Sequence, residues 1–371
     1  MIKTIGFPGR YIQGPQALTC LSGLLHELGL QKPVVIVDAI VGEKILPDTM
    51  SLLARHGFST QKISFPGECT EKVISKLSKE ATIHGPDVII GLGGGKTIDA
   101  AKGVARDMGT AIIVCPTIAS NDAPTSRLIV LYDEEHKVVG VDYLTRNPDA
   151  VVVDTEIIVQ APVRFFAAGI GDAISKRFEA HQCNTSNGLN SFGSPPLHTA
   201  LMMADMAYAT LAKFGHTAYR SVAEQRLNAD VERVIEATVL LSGIGFESGG
   251  LSLAHALIRG LTAVPTMAGQ LHGELVGFGT LVQVLVENRP QAEIDELVDL
   301  LCAVNLPVSF AQLGQADDLS AADLNVIVKA TMEAAYTRNM NPPLTADRLA
   351  KCLVEADRIG QEARIGKNRS H

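Results

Sequence analysis

Three polar residues in the second half of the sequence combine side-chain types that can bind a metal ion. Asp172, His255 and His272 each interrupt a largely apolar stretch. Imidazole and carboxylate groups together form a standard ligand set for Zn²⁺, which leaves a fourth position for water or substrate. No local motif such as HExxH ties the three together. A second interpretation therefore stays open for each, an N-cap for the aspartate and a core position for either histidine.

The stretch DVIIGLGGGKTIDAAKGVA at 87–105 has the pattern of a phosphate-binding turn. An apolar run leads into glycines 91 and 93–95, and apolar residues then recur at helical spacing. Glycines permit positive φ and close backbone approach, and the first amides of a new helix are unpaired and can bind a diphosphate. The P-loop motif fails because Ile90 stands where it needs glycine, and GxGxxG fails at Lys96. The stretch is either a different phosphate site or a structural turn.

Polar residues also follow the apolar run at 111–115. The segment at 116–126 is rich in hydroxyl groups and contains one acid, Asp122. If the run is a parallel strand, the segment leaves its carboxyl end, where ligands bind in open α/β sheets. Serine, asparagine and aspartate also favour turns, so a capped polar loop explains the same residues.

The elements that position these residues differ between the two halves of the chain. In the first half, apolar runs alternate with segments of helical periodicity. The runs lie at 34–37, 62–65, 87–90, 111–115 and 150–154, and the helical segments lie at 16–29, 41–56, 70–83 and after the glycine turn. This alternation predicts βαβ units and a parallel sheet covered on both faces. Two further runs, at 128–132 and 138–141, predict a hairpin at one edge.

From about residue 160, apolar residues recur almost only at helical spacing. The periodicity predicts helices at 164–181, 196–214, 221–241, 247–259, 273–287, 292–304, 319–335 and 345–361. We therefore predict an α/β domain at 1–160 and an all-helical domain at 161–371.

Composition argues against several classes of partner. The 371 residues carry a formal net charge of −8 without a long basic run, so we expect no nucleic acid and no membrane partner. No apolar run approaches the roughly 20 residues that a bilayer span needs, and the N-terminus lacks the apolar core of a secretory signal. The six cysteines contain no CxxC pair and indicate buried thiols in a reducing cytoplasm.

Several motifs together resemble one enzyme family. The motifs are GGGKTIDAAK, PTIASNDAP, GIGDA, GFESGGLSLAHA and the HGE at 272–274. From residue 11 to at least residue 281 the chain resembles the glycerol dehydrogenase branch of the metal-dependent, iron-containing alcohol dehydrogenases. The resemblance implies an α/β N-terminal domain with a Rossmann-like parallel sheet and an all-α C-terminal domain, which together form a dehydroquinate synthase-like architecture. The first domain would bind NAD and the second a metal.

The resemblance also implies roles for individual residues. Asp172, His255 and His272 match the family's zinc ligands, with one Zn²⁺ per subunit. The residues that match the NAD site are Asp38 at the adenosine ribose, Gly94, Gly95, Lys96, Thr97, Ile98 and Asp99 at the diphosphate, and Thr117, Ser120, Ser126, Leu128 and Tyr132 around the nicotinamide half. A carboxylate at the ribose repels a 2′-phosphate and so favours NAD over NADP.

Asp122 matches the acid beside the substrate, and it is the implied catalytic residue. It could accept a hydrogen bond from a polyol hydroxyl, in a substrate site that includes Asp172 and His255. We place Phe246 on the apolar wall of that site. Lys176 departs from the family pattern, because the iron-binding relatives carry a histidine ligand there. It lies one helical turn after Asp172, and it either pairs with that carboxylate or points away.

The implied reaction is the reversible, NAD-dependent and zinc-dependent oxidation of a secondary alcohol in a small polyol or vicinal diol, with glycerol to dihydroxyacetone as the first expectation. The family forms homo-oligomers, often octamers. Alternatives with the same fold are a 1,2-diol or hydroxyketone reductase, a metal-free hydroxycarboxylate reductase and a dehydroquinate synthase-like lyase. The lyase needs a dense basic cluster, which the sequence lacks, and the metal-free reductase should lack both histidines. A non-enzymatic NAD-binding protein is the remaining alternative.

Overall fold

The chain divides into two compact units in the computed structural model, which describes residues 1–316 and 319–368. The sheet unit comprises Gly6–Ala119 and Ala123–Ala161, and the helical unit comprises Met1–Ile5, Ser120–Asp122 and Pro162–His371. Residues 317, 318 and 369–371 of the predicted second domain lie outside the described residues. The short segment Ser120–Asp122 groups with the helical unit although its neighbours in sequence belong to the sheet unit.

Eight strands belong to the sheet unit. They are β1 (Tyr11–Gly14), β2 (Pro33–Val37), β3 (Gln61–Ser64), β4 (Val88–Gly93), β5 (Ala111–Pro116), β6 (Leu128–Tyr132), β7 (Val138–Tyr143) and β8 (Ala150–Asp154). Six of them form one sheet in the order β1-β8-β5-β4-β2-β3, and all neighbouring pairs are parallel. Strands β2, β4 and β8 are buried along their whole length, as expected for a parallel sheet covered on both faces.

The predicted position of the hairpin is wrong. Strands β6 and β7 pair antiparallel with each other in a separate two-stranded sheet, and they do not extend the six-stranded one. The exposed side chains of β7, which include Val138 and Val139, show that this strand does not enter the core. An apolar run therefore indicated a strand but did not indicate which sheet it joins.

Six α-helices accompany the strands. They are α1 (Leu21–Glu27), α2 (Ala39–Lys44), α3 (Leu46–Arg55), α4 (Glu71–Thr82), α5 (Gly95–Met108) and α6 (Thr155–Gln160). Two of the predicted helices are not continuous α-helices in the structure. The segment 16–29 begins with a 3₁₀ turn at Ala17–Cys20, and 41–56 is broken at Ile45. Pro47 in the first turn of α3 lacks the amide that would continue the ladder of α2.

The strand order reverses between β2 and β4. From β2 the chain moves to β3 on one side, whereas β4 lies on the other side and leads on to β5. In open α/β sheets such a reversal leaves a crevice at the carboxyl ends of the two strands, where ligands bind. Asp38 follows β2, and the glycine turn follows β4. The topology therefore brings these two predicted cofactor-binding segments together.

The helical unit contains nine α-helices within the described residues. They are α7 (Val163–Thr185), α8 (His198–Ala223), α9 (Ala229–Ile235), α10 (Ser242–Gly249), α11 (Leu253–Leu261), α12 (His272–Val286), α13 (Gln291–Ala303), α14 (Ala321–Met332) and α15 (Ala346–Asn368). A π-helical turn, Glu236–Leu241, joins α9 to α10.

Two predicted helix boundaries in this unit are wrong. The predicted helix 221–241 is interrupted at 224–228, where Gln225 has a positive φ and Asn228 caps a new helix by accepting from the amides of Asp230 and Val231. The predicted helix 247–259 is interrupted by Gly250, whose φ is 88°. Left-handed backbone at these residues ends a helix although the apolar spacing continues across the break.

Helices α7 and α12 approach each other closely because of two glycines. A Cβ atom on Gly273 would lie 1.7 Å from the carbonyl oxygen of Ala168, and one on Gly171 would lie 2.3 Å from the carbonyl oxygen of Gly273. No side chain fits in this contact. The two glycines flank the residues of interest, since Asp172 follows one and His272 precedes the other.

Within the described residues, no single helix is both long and apolar enough to cross a bilayer. One bent pair, Ala229–Gly249 with Leu253–Leu261, meets that test only in combination. The six cysteines are all free thiols, and four of them are buried: Cys69, Cys115, Cys183 and Cys352.

We predict that Gly273→Ala separates α7 from α12 and lowers the free energy of unfolding. Overpacking of this kind costs about 1–3 kcal/mol or more, and the clash involves backbone that cannot rotate away. The urea-unfolding midpoint measures the effect. Gly23→Ala is the matched control, because a Cβ at this helical glycine meets nothing within 4 Å. Equal midpoints for the two variants would show that the helix pair adapts.

Candidate functional site

Asp172, His255 and His272 come together in the helical unit. Asp172 lies in the middle of α7, His255 in the first turn of α11, and His272 is the first residue of α12. The Nε2 atoms of His255 and His272 lie 3.4 Å and 3.6 Å from Oδ1 of Asp172. One ligand atom from each residue lies within 4.8 Å of the other two. The structure thus assembles the three residues that the sequence keeps far apart.

The cluster fits a tetrahedral divalent cation. Ligands about 2.0–2.1 Å from a tetrahedral zinc ion lie about 3.4 Å from each other. Within the described part of the chain, Oδ2 of Asp172 is buried and has no hydrogen-bond partner. A buried carboxylate oxygen without a partner is costly, and a divalent ion bound by the same carboxylate would offset that cost. His272 is half exposed, which leaves one side of the cluster accessible.

Glu179 holds His255 in a defined orientation. Its Oε2 lies 2.5 Å from Nδ1 of His255, and its Oε1 accepts from the amides of His255 and Ser252. With Nδ1 donating to the carboxylate, the lone pair of Nε2 faces the cluster. Glu179 is fully buried. It lies two turns after Asp172 on α7 and orients the candidate ligand His255, and we did not single it out from the sequence.

Glu274 fixes the start of α12 and with it His272. Oε2 of Glu274 accepts from the amide of Leu271 at 2.8 Å, which caps the helix N-terminus. Arg164 binds the same carboxylate in a bidentate manner, with Nε–Oε1 at 2.6 Å and Nη2–Oε2 at 2.8 Å. The HGE motif therefore supplies one candidate ligand and, two residues later, the residue that positions it.

Lys176 points into the cluster. Its side chain is fully buried. The ammonium group pairs with Oδ1 of Asp172, donates to the carbonyl oxygen of the same residue at 3.0 Å, and lies 3.3 Å from Nε2 of His255. Of the two arrangements that the sequence left open, the structure shows the ion pair.

Asp122 also forms an ion pair with Lys176. Its Oδ2 is 3.3 Å from the ammonium and accepts from the hydroxyl of Ser242 at 2.6 Å. Ser242 is the first residue after the π-helical turn, and π-turns inserted into α-helices are frequent at functional sites. Phe246, one turn further along α10, is buried, with its ring centroid 5.7 Å from the ammonium. Asp122 and Phe246 thus border the same cluster.

The charges in this cluster compensate for burial. Burial alone would disfavour the charged form of each group. Despite burial, Lys176 and the histidines hold the pKa of Asp172 well below its usual value. The pKa of Asp122 is raised by burial and then by the charge of Asp172. Burial opposes the charge on Lys176, but Asp122 and Asp172 raise its pKa. The pKa values of the two neighbouring carboxylates are thus shifted in opposite directions, as in many catalytic sites.

In the sheet unit, the N-terminus of α5 is the candidate phosphate site. Gly94 is the N-cap and makes no side-chain capping bond, so the first amides of a 14-residue helix remain available for an anion. None of the glycines 91–95 has a positive φ. They instead permit close approach, since a Cβ on Gly93 would lie 2.8 Å from Thr97 and 2.9 Å from Oδ2 of Asp38. The turn fits a diphosphate group.

Asp38 and Thr97 meet at the crevice of the sheet. Asp38 caps α2 by accepting from the amide of Val41 at 3.0 Å. Its second oxygen lies 3.4 Å from the hydroxyl of Thr97. The carboxylate therefore stands beside the start of α5, where the adenosine half of a dinucleotide would follow its diphosphate.

Lys96 is held by a residue that we did not single out. Its ammonium lies 2.6 Å from Oε2 of Glu68 and 4.5 Å from the ring centroid of Tyr132. His136 contacts the same carboxylate oxygen. Burial would raise the pKa of Glu68, but the hydrogen bonds from His136 and Lys96 hold it below its usual value. The lysine in the glycine turn thus has an anionic partner in the sheet unit.

Asp99 has an internal role. Its two oxygens accept from the buried Lys102 at 3.3 Å and from the amide of Val130 at 3.1 Å. Lys102 also donates to the carbonyl oxygens of Ala123 and Leu128. This ion pair ties α5 to both ends of the segment 123–128. A contact of Asp99 with a cofactor remains a prediction.

The remaining residues predicted to contact NAD occupy varied surroundings. Ile98 is buried in α5, and Thr117 donates its amide to the carbonyl oxygen of Gly93 at 3.1 Å. The hydroxyl of Ser126 donates to the carbonyl oxygen of Ala123 at 3.3 Å. Ser120 belongs to the helical unit. Thr117 thus adjoins the glycine turn, and the roles of these residues toward NAD remain predictions.

Comparisons with a family model, with protein sequences and with solved structures all point to the same group of oxidoreductases. A family model described as iron-containing alcohol dehydrogenase matches residues 8–155. A glycerol dehydrogenase of Pseudomonas putida is 40% identical over 97% of this chain and 99% of its own. A glycolaldehyde reductase of Halobacterium salinarum is 36% identical over 98% and 100%. The crystal structure of a probable glycerol dehydrogenase from Sinorhizobium meliloti has a TM-score of 0.89 and 36% identity, over 97% of this chain and 100% of that one.

We predict that Glu179→Gln weakens metal binding. Glutamine fills the same space but no longer supplies the anion that fixes the His255 tautomer, and such changes typically cost about 10- to 100-fold in metal affinity. Competition of the metal-free protein with a chromophoric chelator for zinc measures the constant. Glu296→Gln, on a carboxylate that meets Tyr208 at 3.3 Å, is the control. An unchanged affinity would contradict the orienting role.

Proposed function

The chain belongs to the glycerol dehydrogenase branch of the iron-containing alcohol dehydrogenase family, and we propose that it oxidises a secondary alcohol of a small polyol or vicinal diol reversibly with NAD. Glycerol, oxidised to dihydroxyacetone, is the first substrate to test. The observation that carries the proposal is the assembly of Asp172, His255 and His272 around one point, with a buried carboxylate oxygen that has no partner among the described residues.

We further propose that the metal is zinc, one ion per subunit. Two imidazoles and a carboxylate suit Zn²⁺ and leave a position for the alcohol oxygen. When bound, zinc would act as a Lewis acid that lowers the pKa of the alcohol hydroxyl. NAD, held at the N-terminus of α5, would accept the hydride.

The side chains around the metal ligands would orient the substrate. Asp122 is a buried acceptor beside the cluster, so it would take a hydrogen bond from a hydroxyl next to the reacting carbon. Phe246 would form the apolar wall. Lys176 would hold Asp122 in place through their ion pair. Fixing the alcohol in this way lowers the entropic part of the barrier.

Other residues would bind the dinucleotide. The free amides at the start of α5 would donate hydrogen bonds to the diphosphate, and the backbone approach that Gly93 permits would keep that site open. Asp38 would bind the ribose hydroxyls and repel a 2′-phosphate, which favours NAD over NADP. We expect Lys96 to remain paired with Glu68, because this pair is formed within the sheet unit.

The alternatives with the same fold are less well supported. The Halobacterium relative is named for a hydroxyaldehyde substrate, so reduction of small hydroxycarbonyls is the reverse reaction to test first. A metal-free hydroxycarboxylate reductase or a non-enzymatic NAD-binding protein would have no need for the three assembled residues. A dehydroquinate synthase-like lyase would need a dense basic cluster, which the sequence lacks. Cytoplasmic location and homo-oligomeric assembly, with an octamer as the first expectation, remain proposals that fractionation and light scattering can test.

We predict NADH formation with glycerol and 1,2-propanediol, its loss on complete metal removal, and its recovery on addition of Zn²⁺. The absorbance of NADH at increasing diol concentrations measures the rates. Asp172→Asn should not recover, because it removes the anionic ligand. Full activity in protein shown by elemental analysis to be free of metal would exclude the proposed zinc mechanism.

We predict that Asp38→Ser raises the ratio of kcat/KM for NADP to that for NAD by about tenfold or more, because it removes the charge that repels a 2′-phosphate. Serine retains the N-cap of α2. Asp48→Ser, on an exposed acid of α3, serves as the control for net charge. If the ratio for Asp38→Ser equals that of the control, Asp38 does not contact the ribose.

A further inference from the structure

The ammonium of Lys176 already uses atoms that a metal ion requires. It pairs with Oδ1 of Asp172 and lies 3.3 Å from Nε2 of His255. The other nitrogen of His255 is bound to Glu179, so Nε2 offers the only lone pair of that ring. Two of the three candidate ligands therefore face a resident cation.

The same ammonium has a second anion to which it can remain bound. Oδ2 of Asp122 lies 3.3 Å away, and the hydroxyl of Ser242 donates to that carboxylate at 2.6 Å. A divalent ion that took the atoms of Asp172 and His255 would leave Lys176 paired with Asp122. The lysine would then stand as a positive charge directly beside the metal.

We propose that Lys176 is a built-in competitor for the metal site, so that this chain binds its divalent cation more weakly than it would with a neutral residue at position 176. The proposal rests on the metal site of the proposed function and adds a determinant of its affinity. Two effects act in the same direction. The metal must displace the ammonium from two ligand atoms, and it then meets a like charge at short range in a buried site.

The resident cation also has a consequence for the metal-free protein. A buried carboxylate without a counter-charge is strongly destabilising. Lys176 supplies that counter-charge to Asp172 in the absence of metal, so metal binding should add little to thermal stability. In a variant without the ammonium, metal should add more, because it then neutralises an otherwise unpaired group.

The test compares zinc binding by metal-free Lys176→Met, Lys176→Gln and unaltered protein, by competition with a chromophoric chelator. Methionine has a similar length without charge, and glutamine retains a hydrogen-bond donor for Asp172, so it serves if the methionine variant does not fold. A unit charge about 4 Å from another changes an interaction by more than tenfold even at an effective dielectric constant of about 20. We therefore expect both variants to bind zinc at least about tenfold more tightly.

The rise in Tm on adding Zn²⁺ should also be larger for both variants than for unaltered protein. Lys213→Met, on an exposed lysine of α8 in the same unit, controls for net charge and should leave affinity unchanged. Affinities equal to or weaker than that of unaltered protein would overturn the inference while the metal site stands. If neither the unaltered protein nor any variant binds zinc, both the inference and the zinc-dependent function fail.

Discussion

Three carboxylates buried within the helical unit impose the strongest constraint on this structure. Asp122, Asp172 and Glu179 are each almost completely removed from solvent, and a buried charge without a partner costs far more than a typical contact contributes. Each acid therefore needs a cation or a donor at a fixed position. Lys176, His255 and Ser242 meet that need, and the packing of the surrounding helices has to keep them there.

Helix α7 alone supplies three of the charged residues in this cluster. Asp172, Lys176 and Glu179 stand at positions i, i+4 and i+7 of α7, which places them on one face. The remaining helical partners come from α10, α11 and α12. Helix α12 can approach α7 this closely only because Gly171 and Gly273 lack side chains. Glu274 and Arg164 then fix the first turn of α12. The positions of Asp172, Lys176 and Glu179 and of their helical partners are therefore a property of helix packing, whereas Asp122 comes from the irregular segment Ser120–Asp122.

The sequence predicted which segments form helices and strands better than it predicted where they break and which partners they meet. Apolar runs predicted five of the six strands of the parallel sheet, all but the short β1, and the parallel sheet with a helical second half was confirmed. The hairpin β6–β7 was assigned to the wrong sheet, because an apolar run does not specify its partner. Breaks at Ile45 and Gly250 were missed, because periodicity continues across a residue that ends a helix by its backbone conformation. The three candidate metal ligands were singled out mainly through family resemblance, since nothing local links residues so far apart.

The supporting residues that the sequence did not reveal were missed for one physical reason. Glu179 and Glu68 act by holding another functional residue, and residues of that kind carry no motif of their own. Helical spacing from Asp172 could have identified Glu179, whereas Glu68 reaches Lys96 only through the fold of the sheet unit.

Lys176 shows why such supporting positions matter for interpreting a family member. Asp122, Asp172 and Glu179 with one ammonium carry a formal charge of −2, which a single divalent cation cancels. With a neutral residue at 176, the same carboxylates would attract that cation more strongly and would be less stable without it. These candidate ligands suit the reaction of the family, and by our proposal the charge at position 176 sets how tightly they would hold the ion.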